Sequence, residues 1–170
     1  SNVSLNPFDT SHYEYSLTPP VIADLNRDPA VPTGTDNVAI SATVTDNDGS
    51  VTEVNLFYTD NQSAASADFT KVQMTLKSGS TSEFTAEIPA FTDGSLIRFY
   101  LSAIDDDDNL IYSPQGASKD EDFHFYTVRD NGLSISDIQK VLNSDQNDAS
   151  PYVGESVTVS GVVTSSTTRF

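Results

Sequence analysis

The chain predicts an all-β fold, a seven-stranded antiparallel sandwich of two sheets, and three observations carry that prediction. Between residues 19 and 128 lie seven short runs in which apolar and polar side chains alternate, the period of a strand with one buried face. Glycine, proline, aspartate and asparagine punctuate the gaps between the runs. Nothing in that region repeats apolar residues at the helical spacing, so the core closes without a helix.

In chain order, residues 1–18 carry Phe8, His12, Tyr13 and Tyr15 with no clear period and read as an N-terminal arm. Pro19-Pro20 sets an extended lead-in. The first strand covers residues 21–25 and is ended by Asn26-Arg27-Asp28-Pro29 and the Pro32-Thr33-Gly34 turn. The second, residues 38–45, turns Val38, Ile40, Ala42 and Val44 inward. After the Asp46-Asn47-Asp48-Gly49-Ser50 turn, Val54, Leu56 and Tyr58 face in while Asn55, Phe57 and Thr59 face out. A polar stretch, residues 60–68, separates this strand from residues 69–76, where Val72, Met74 and Leu76 share a face. Lys77-Ser78-Gly79-Ser80 turns the chain into the strand of Phe84, Ala86 and Ile88. Past Phe91-Thr92-Asp93-Gly94, the sixth strand points Ile97, Phe99, Leu101 and Ala103 inward and Arg98, Tyr100 and Ser102 outward. The seventh strand is split by residues 114–120 and resumes over residues 123–128.

Beyond residue 128 the pattern changes. Ser134 is a helix N-cap, with Asp137 in the first turn and Ile135, Ile138, Val141 and Leu142 as apolar positions of one short helix. A polar loop follows, and residues 156–164 alternate Val157, Val159, Gly161 and Val163 against polar neighbours. The organisation expected is therefore an arm (1–18), a sandwich (19–128) and a linker, helix and first strand of a second domain cut short (129–170). A lone strand in that tail is a template for an open sheet edge, so it is expected to add to its own sandwich or to swap onto a second copy as a dimer.

Composition narrows the function. The 170 residues suit one full domain and a fragment, since a single core takes roughly 100–150 residues. Twenty-five acidic against eight basic residues leave a formal charge of −17, which repels phosphate backbones and anionic lipid, so neither direct nucleic-acid binding nor membrane association is expected. The absence of cysteine removes disulfides, zinc-thiolate sites and thiol catalysis. The opening Ser-Asn-Val-Ser-Leu-Asn has neither the basic nor the apolar region of a signal peptide, and no stretch reaches transmembrane length.

The run PPVIADLNRDPAVPTGTDNVAISATVTDNDGSVTEVNLFYTDN, followed by FTAEIPAFTDGSLIRFYLSAIDDDDN, resembles the immunoglobulin-like, fibronectin type III-related modules of secreted multidomain proteins of Bacteroidetes and marine bacteria. The resemblance covers residues 19–128, and its most telling part is Phe99-x-Leu101-x-Ala103. Phe99 stands where that family carries a tyrosine, so the hydroxyl that ties the corner down is missing or supplied elsewhere. The tail, through Ile135, Ile138, Gln139, Gly154, Val157, Val159, Gly161 and Val162, is similar to the start of the OB-like domain that precedes the catalytic domain in secreted endonuclease/exonuclease/phosphatase-type nucleases. These resemblances imply an extracellular or cell-surface accessory module, a spacer or docking unit whose partners are neighbouring domains of one parent chain. They bring no catalytic residue onto this sequence.

Two groups of residues are candidates for binding. Asp46, Asp48, Asp105, Asp106, Asp107 and Asp108 fall in loops at one end of such a sandwich, where converging carboxylates suit calcium; the EF-hand spacing is absent, and Asp, Asn and Gly also serve simply as turn formers. Phe57, Tyr100 and either His124 or Tyr126 form an outward aromatic stripe that would be covered by the arm, by a neighbouring domain or by a carbohydrate. For catalysis the chain offers only His12 and His124 as imidazole bases, with no nucleophile motif and no Gly-rich phosphate loop, and the fragment is expected to be non-enzymatic. The leading expectation is a non-catalytic module of a secreted protein whose parent is an extracellular nuclease. The competing one is a calcium- or carbohydrate-binding adhesion module.

Overall fold

A computed structural model describes residues 18–140 and 150–161. Two antiparallel sheets face each other across one core. The first has the order β1 (Val21–Asp28), β2 (Val38–Thr45), β6 (Glu83–Ile88), β5 (Thr75–Leu76). The second runs β4 (Thr70–Gln73), β3 (Val51–Thr59), β7 (Leu96–Asp105), with β8 (Leu110–Ser113) and β9 (His124–Thr127) both paired to the far side of β7. This is an all-β sandwich of two antiparallel sheets, of four and five strands.

The alternation read from the sequence is the alternation that packs. Val38, Ile40, Ala42 and Val44 of β2, Val54 and Leu56 of β3, and Ile97, Phe99, Leu101 and Ala103 of β7 meet in one buried cluster with Ile88, Met74 and Tyr126. Each fully buried large apolar side chain contributes roughly 1.5–3 kcal/mol by leaving water. Register keeps the faces matched: Ile40 opposes Ala86 and Ala42 opposes Phe84 between β2 and β6, and Leu56 opposes Leu101 between β3 and β7.

Two elements differ from the expectation, and a third, the split seventh strand, agrees with it. The first strand continues to Asp28 past a bulge between Ala23 and Asn26, where Asp24 takes φ 49°. Aspartate tolerates the left-handed region, and an edge strand accepts the exposed polar Asn26 and Asp28, while Arg27 between them turns back onto the sandwich. The run 69–76 is two strands, because the chain changes sheet at Met74: Gln73 opposes Asn55 of β3 while Thr75 opposes Thr85 of β6, and Met74 enters the core. The split seventh strand is found as β8 and β9, and residues 114–123 between them leave the sheet in a 3-10 turn, Gln115–Lys119.

The segment after the sandwich is tied to it. Arg129 donates from its backbone to the Pro32 carbonyl at 2.9 Å, and its guanidinium pairs with Asp137 through Nη2–Oδ1 at 2.6 Å and Nε–Oδ2 at 2.9 Å. Ser134 caps the single-turn helix α1 (Ile135–Ile138) as expected, in a capping box closed by Asp137. Ile135 is exposed, so the apolar positions of this helix do not make one packed face; Val141 and Leu142 lie outside the described residues. Of the expected strand 156–164, only Val159 pairs among the described residues, in a parallel bridge to Leu133 of the linker and not on a sheet edge. Gly132, at φ 82°, makes this approach possible, since a Cβ there would stand 2.8 Å from the Thr158 carbonyl oxygen.

Candidate functional site

The acidic loops meet at one end of the sandwich, as the sequence indicates, and the carboxylates of Asp48, Asp105 and Asp106 accept backbone amides there. Asp105 is buried and accepts from the Asp107 amide at 3.0 Å, the Asn109 amide at 2.8 Å and Asn109 Nδ2 at 2.9 Å. Burial works to raise its pKa, but those hydrogen bonds hold the carboxyl below its ordinary value. Asp106 Oδ1 accepts from the Ser50 amide at 2.8 Å, which locks the two loops together over Gly49, and Asp48 Oδ2 accepts from the Thr18 amide at 3.0 Å. Asp46 is raised by desolvation and by the Asp48 and Asp105 charges. Asp107 is raised by desolvation and by Asp106, Asp105, Asp48 and Asp108. Asp108 takes φ 64° in the turn. Among the described residues no three histidines or carboxylates are grouped to hold a metal ion.

The aromatic stripe is divided by the sheet. Phe57 and Tyr100 are directly opposed on β3 and β7 and stack at 4.5 Å between centroids, on the outward face as expected. His124 and Tyr126 are not on that face. They oppose Phe99 and Ile97, so both point into the sandwich, and Tyr126 is fully buried. The strand is entered one residue out of step with the expectation: after the 114–123 excursion it is Phe123 and Phe125 that take the outer side.

The outer face is covered by the protein's own excursions. Residues 60–69, with the 3-10 turn Ser66–Asp68, and residues 114–123 bring Phe69, Ala117 and Phe123 over Tyr100, which is 5% exposed. The Asp120 carboxylate accepts from the Ser66 amide and joins the two excursions. Arg98 lies beneath them: its guanidinium is 5.1 Å from the Phe69 ring and 4.9 Å from the Phe123 ring, and Nη2 donates to the carbonyls of Asn61 and Ala64 at 2.7 and 2.9 Å. Desolvation there pushes the Tyr100 phenol up to about 12. Arg98, Tyr100 and Ser102 are thus buried although they alternate outward, and β7 is enclosed on both sides.

A second arginine site was not read from the sequence. Arg27, placed by the sequence in a turn, lies 5.3 Å from the ring centroids of both Tyr126 and Tyr152. Its one legible signal is that a cation occurs in a strand-ending stretch of a chain with only eight basic residues. Tyr152, in a stretch without apolar period, gave none. Beside Arg27, His124 Nε2 is 3.2 Å from Ser113 Oγ. Burial, and then the Arg27 charge, lower the pKa of this imidazole to about 4. A Ser–His contact whose charged neighbour is an arginine lacks the carboxylate that would orient and stabilise an imidazolium during nucleophilic chemistry.

Among the described residues no helix is long and apolar enough to cross a membrane. No protein-family model and no curated protein matches this chain.

Proposed function

We propose that this chain is a non-catalytic accessory module, a rigid spacer or docking unit in a secreted bacterial multidomain protein whose parent is an extracellular nuclease. The observation that carries the reading is the double attachment of the segment after the sandwich, through Arg27 and Tyr152 at one point and, at another, through the Arg129 amide on the Pro32 carbonyl, with Asp137 held in turn by the Arg129 guanidinium. A chain that leaves its domain through two fixed contacts passes on a direction to whatever follows, which is what a spacer supplies. The turn use of the acidic loops and the self-covered aromatic face favour this reading over calcium or carbohydrate binding. Secretion and the nuclease parent rest on the sequence resemblances of residues 19–128 and of the tail.

Rigidity is tested by pulsed electron-spin distance measurement between labels on Thr81→Cys and Ser160→Cys, both exposed positions in a cysteine-free chain. One narrow distance distribution is expected, broadened by Tyr152→Ala; a broad distribution in the unmutated background would sink the spacer reading. The nuclease parent is tested separately, by assaying a reading frame extended past Phe170 for metal-dependent DNA or RNA cleavage with this chain as control. Cleavage by the longer protein alone is expected; silence from both removes the nuclease while leaving the spacer standing.

A further inference from the structure

Residues 150–152 reach the sandwich at the outer edge of β9, the side turned away from β7. There the Thr127 amide donates to Tyr152 Oη at 3.0 Å, and the Phe125 carbonyl accepts from Arg27 Nη1 at 3.5 Å. Arg27 comes from β1, in the other sheet, and its Nη2 also donates to the carbonyls of Pro151 at 3.4 Å and Ala30 at 2.9 Å. With its guanidinium over both Tyr126 and Tyr152, this one side chain joins β1, β9 and the C-terminal segment. It also covers polar edge groups that would otherwise offer themselves to another strand.

His124 is the one imidazole among the described residues, and it sits against this junction. The groups around it come from every packed element. Phe99 of β7 tilts against its ring at 5.3 Å, Ser113 of β8 meets Nε2, and Arg27 of β1 supplies the charge that acts on it. Tyr126 of β9 lies under Arg27 and feels Tyr58 of β3 and Tyr152, while Tyr152 and Glu155 of the C-terminal segment act on Arg27. An imidazolium here would face a guanidinium across a partly desolvated space.

We propose that Arg27, His124 and Tyr152 form an acid-opened clasp: protonation of His124 sets two cations against each other, and Pro151 and Tyr152 lift from the β9 edge. The second attachment persists. Arg129 holds Asp137 well below the usual carboxylate range, so their pair stays charged while the clasp opens, and α1 keeps its place. Opening bares the Phe125 carbonyl and the Thr127 amide as a short free edge. The clasp stands whether or not the sandwich serves as an accessory module.

The test places an environment-sensitive fluorophore on Val153→Cys, 73% exposed beside Tyr152, and lowers the pH from about 7 to about 3.5 while far-UV circular dichroism reports the sheets. A sigmoidal fluorescence change is expected, with its midpoint at or above about pH 4, because opening favours the protonated ring. Exchange of the Thr127 amide, corrected for its intrinsic pH dependence, rises roughly tenfold or more over the same range while β2 and β7 amides stay protected. His124→Gln, whose side chain does not protonate in this range, abolishes the change. Should that variant not fold, the NMR titration of the His124 ring in the otherwise natural chain must coincide with the fluorescence midpoint. The proposal is overturned by a flat signal down to pH 3.5, by a transition that survives in His124→Gln, by a ring titration at a different pH, or by loss of sheet signal at the same midpoint.

Discussion

His124 occupies a position where taking up a proton is unfavourable, because burial removes water from the ring and Arg27 repels the charge. Its folded pKa of about 4 lies below the ordinary 6.5, so between those values the unfolded chain binds a proton that the folded one refuses. The stability associated with this residue is present above about pH 6.5 and is lost as the pH falls toward 4. For the wild type the loss between pH 7 and pH 5 is expected to be about 2 kcal/mol from this group. Denaturant midpoints of wild type and His124→Leu at the two pH values measure it: the variant should lose less by that amount, and equal losses would show that the ring does not titrate as its surroundings dictate.

At the scale of elements, two segments that are not strands do most to decide how the sandwich is finished. The linker turn depends on Gly132, whose φ of 82° and closeness to the Thr158 carbonyl leave no room for a side chain. Gly132→Ala should cost about 1–3 kcal/mol and act locally, releasing the bonds from the Leu133 amide to Thr158 and from the Ser160 amide to Leu133. Hydrogen exchange faster at Leu133 and Ser160 than in β2 is the expected reading, and unchanged protection there would contradict it. The excursion 114–123 holds its place through Phe123, 4.9 Å from Phe69 and from the Arg98 guanidinium. Phe123→Ala should destabilise the fold by about 3 kcal/mol in urea, a core-sized loss at a residue on the outward side of its sheet. A loss under about 1 kcal/mol would mean that the cover contributes little to stability.

For the molecule as a whole, a formal charge of −17 on 170 residues makes the folded state repel itself, most of all where Asp46, Asp48 and Asp105 through Asp108 gather. Salt screens this repulsion within about 10 Å at 0.1 M, so the melting temperature should rise by a few degrees between low salt and about 0.5 M sodium chloride. Calcium and magnesium chloride at equal ionic strength should act alike, given that Asp105 and Asp106 already accept amide hydrogens. A rise specific to calcium would establish a cation site at this end after all.

The strands of the sandwich were legible because apolar and polar side chains alternate along them with one face in the core, most cleanly in β2; β7 keeps the alternation in its residue types although both its faces are enclosed. The acidic end could be read from loop positions alone, and the Ser134 N-cap from local spacing, while the capping box that Asp137 closes appeared only in the structure. What the sequence left open was the fate of the outward side chains. Phe57 and Tyr100 had to be covered, but that residues 60–69 and 114–123 cover them, with Arg98 between, depends on contacts among segments far apart in the chain. The face taken by His124 and Tyr126 turned on a single residue of register after an irregular excursion, which no local pattern encodes. The attachment of Tyr152 to Arg27, more than a hundred residues away, is likewise a product of tertiary packing. Periodicity determined most of the residues that make the sheets; only the folded chain decided where β1 ends, where the chain changes sheet and which loops close over the faces, because those contacts are long-range and carry no period.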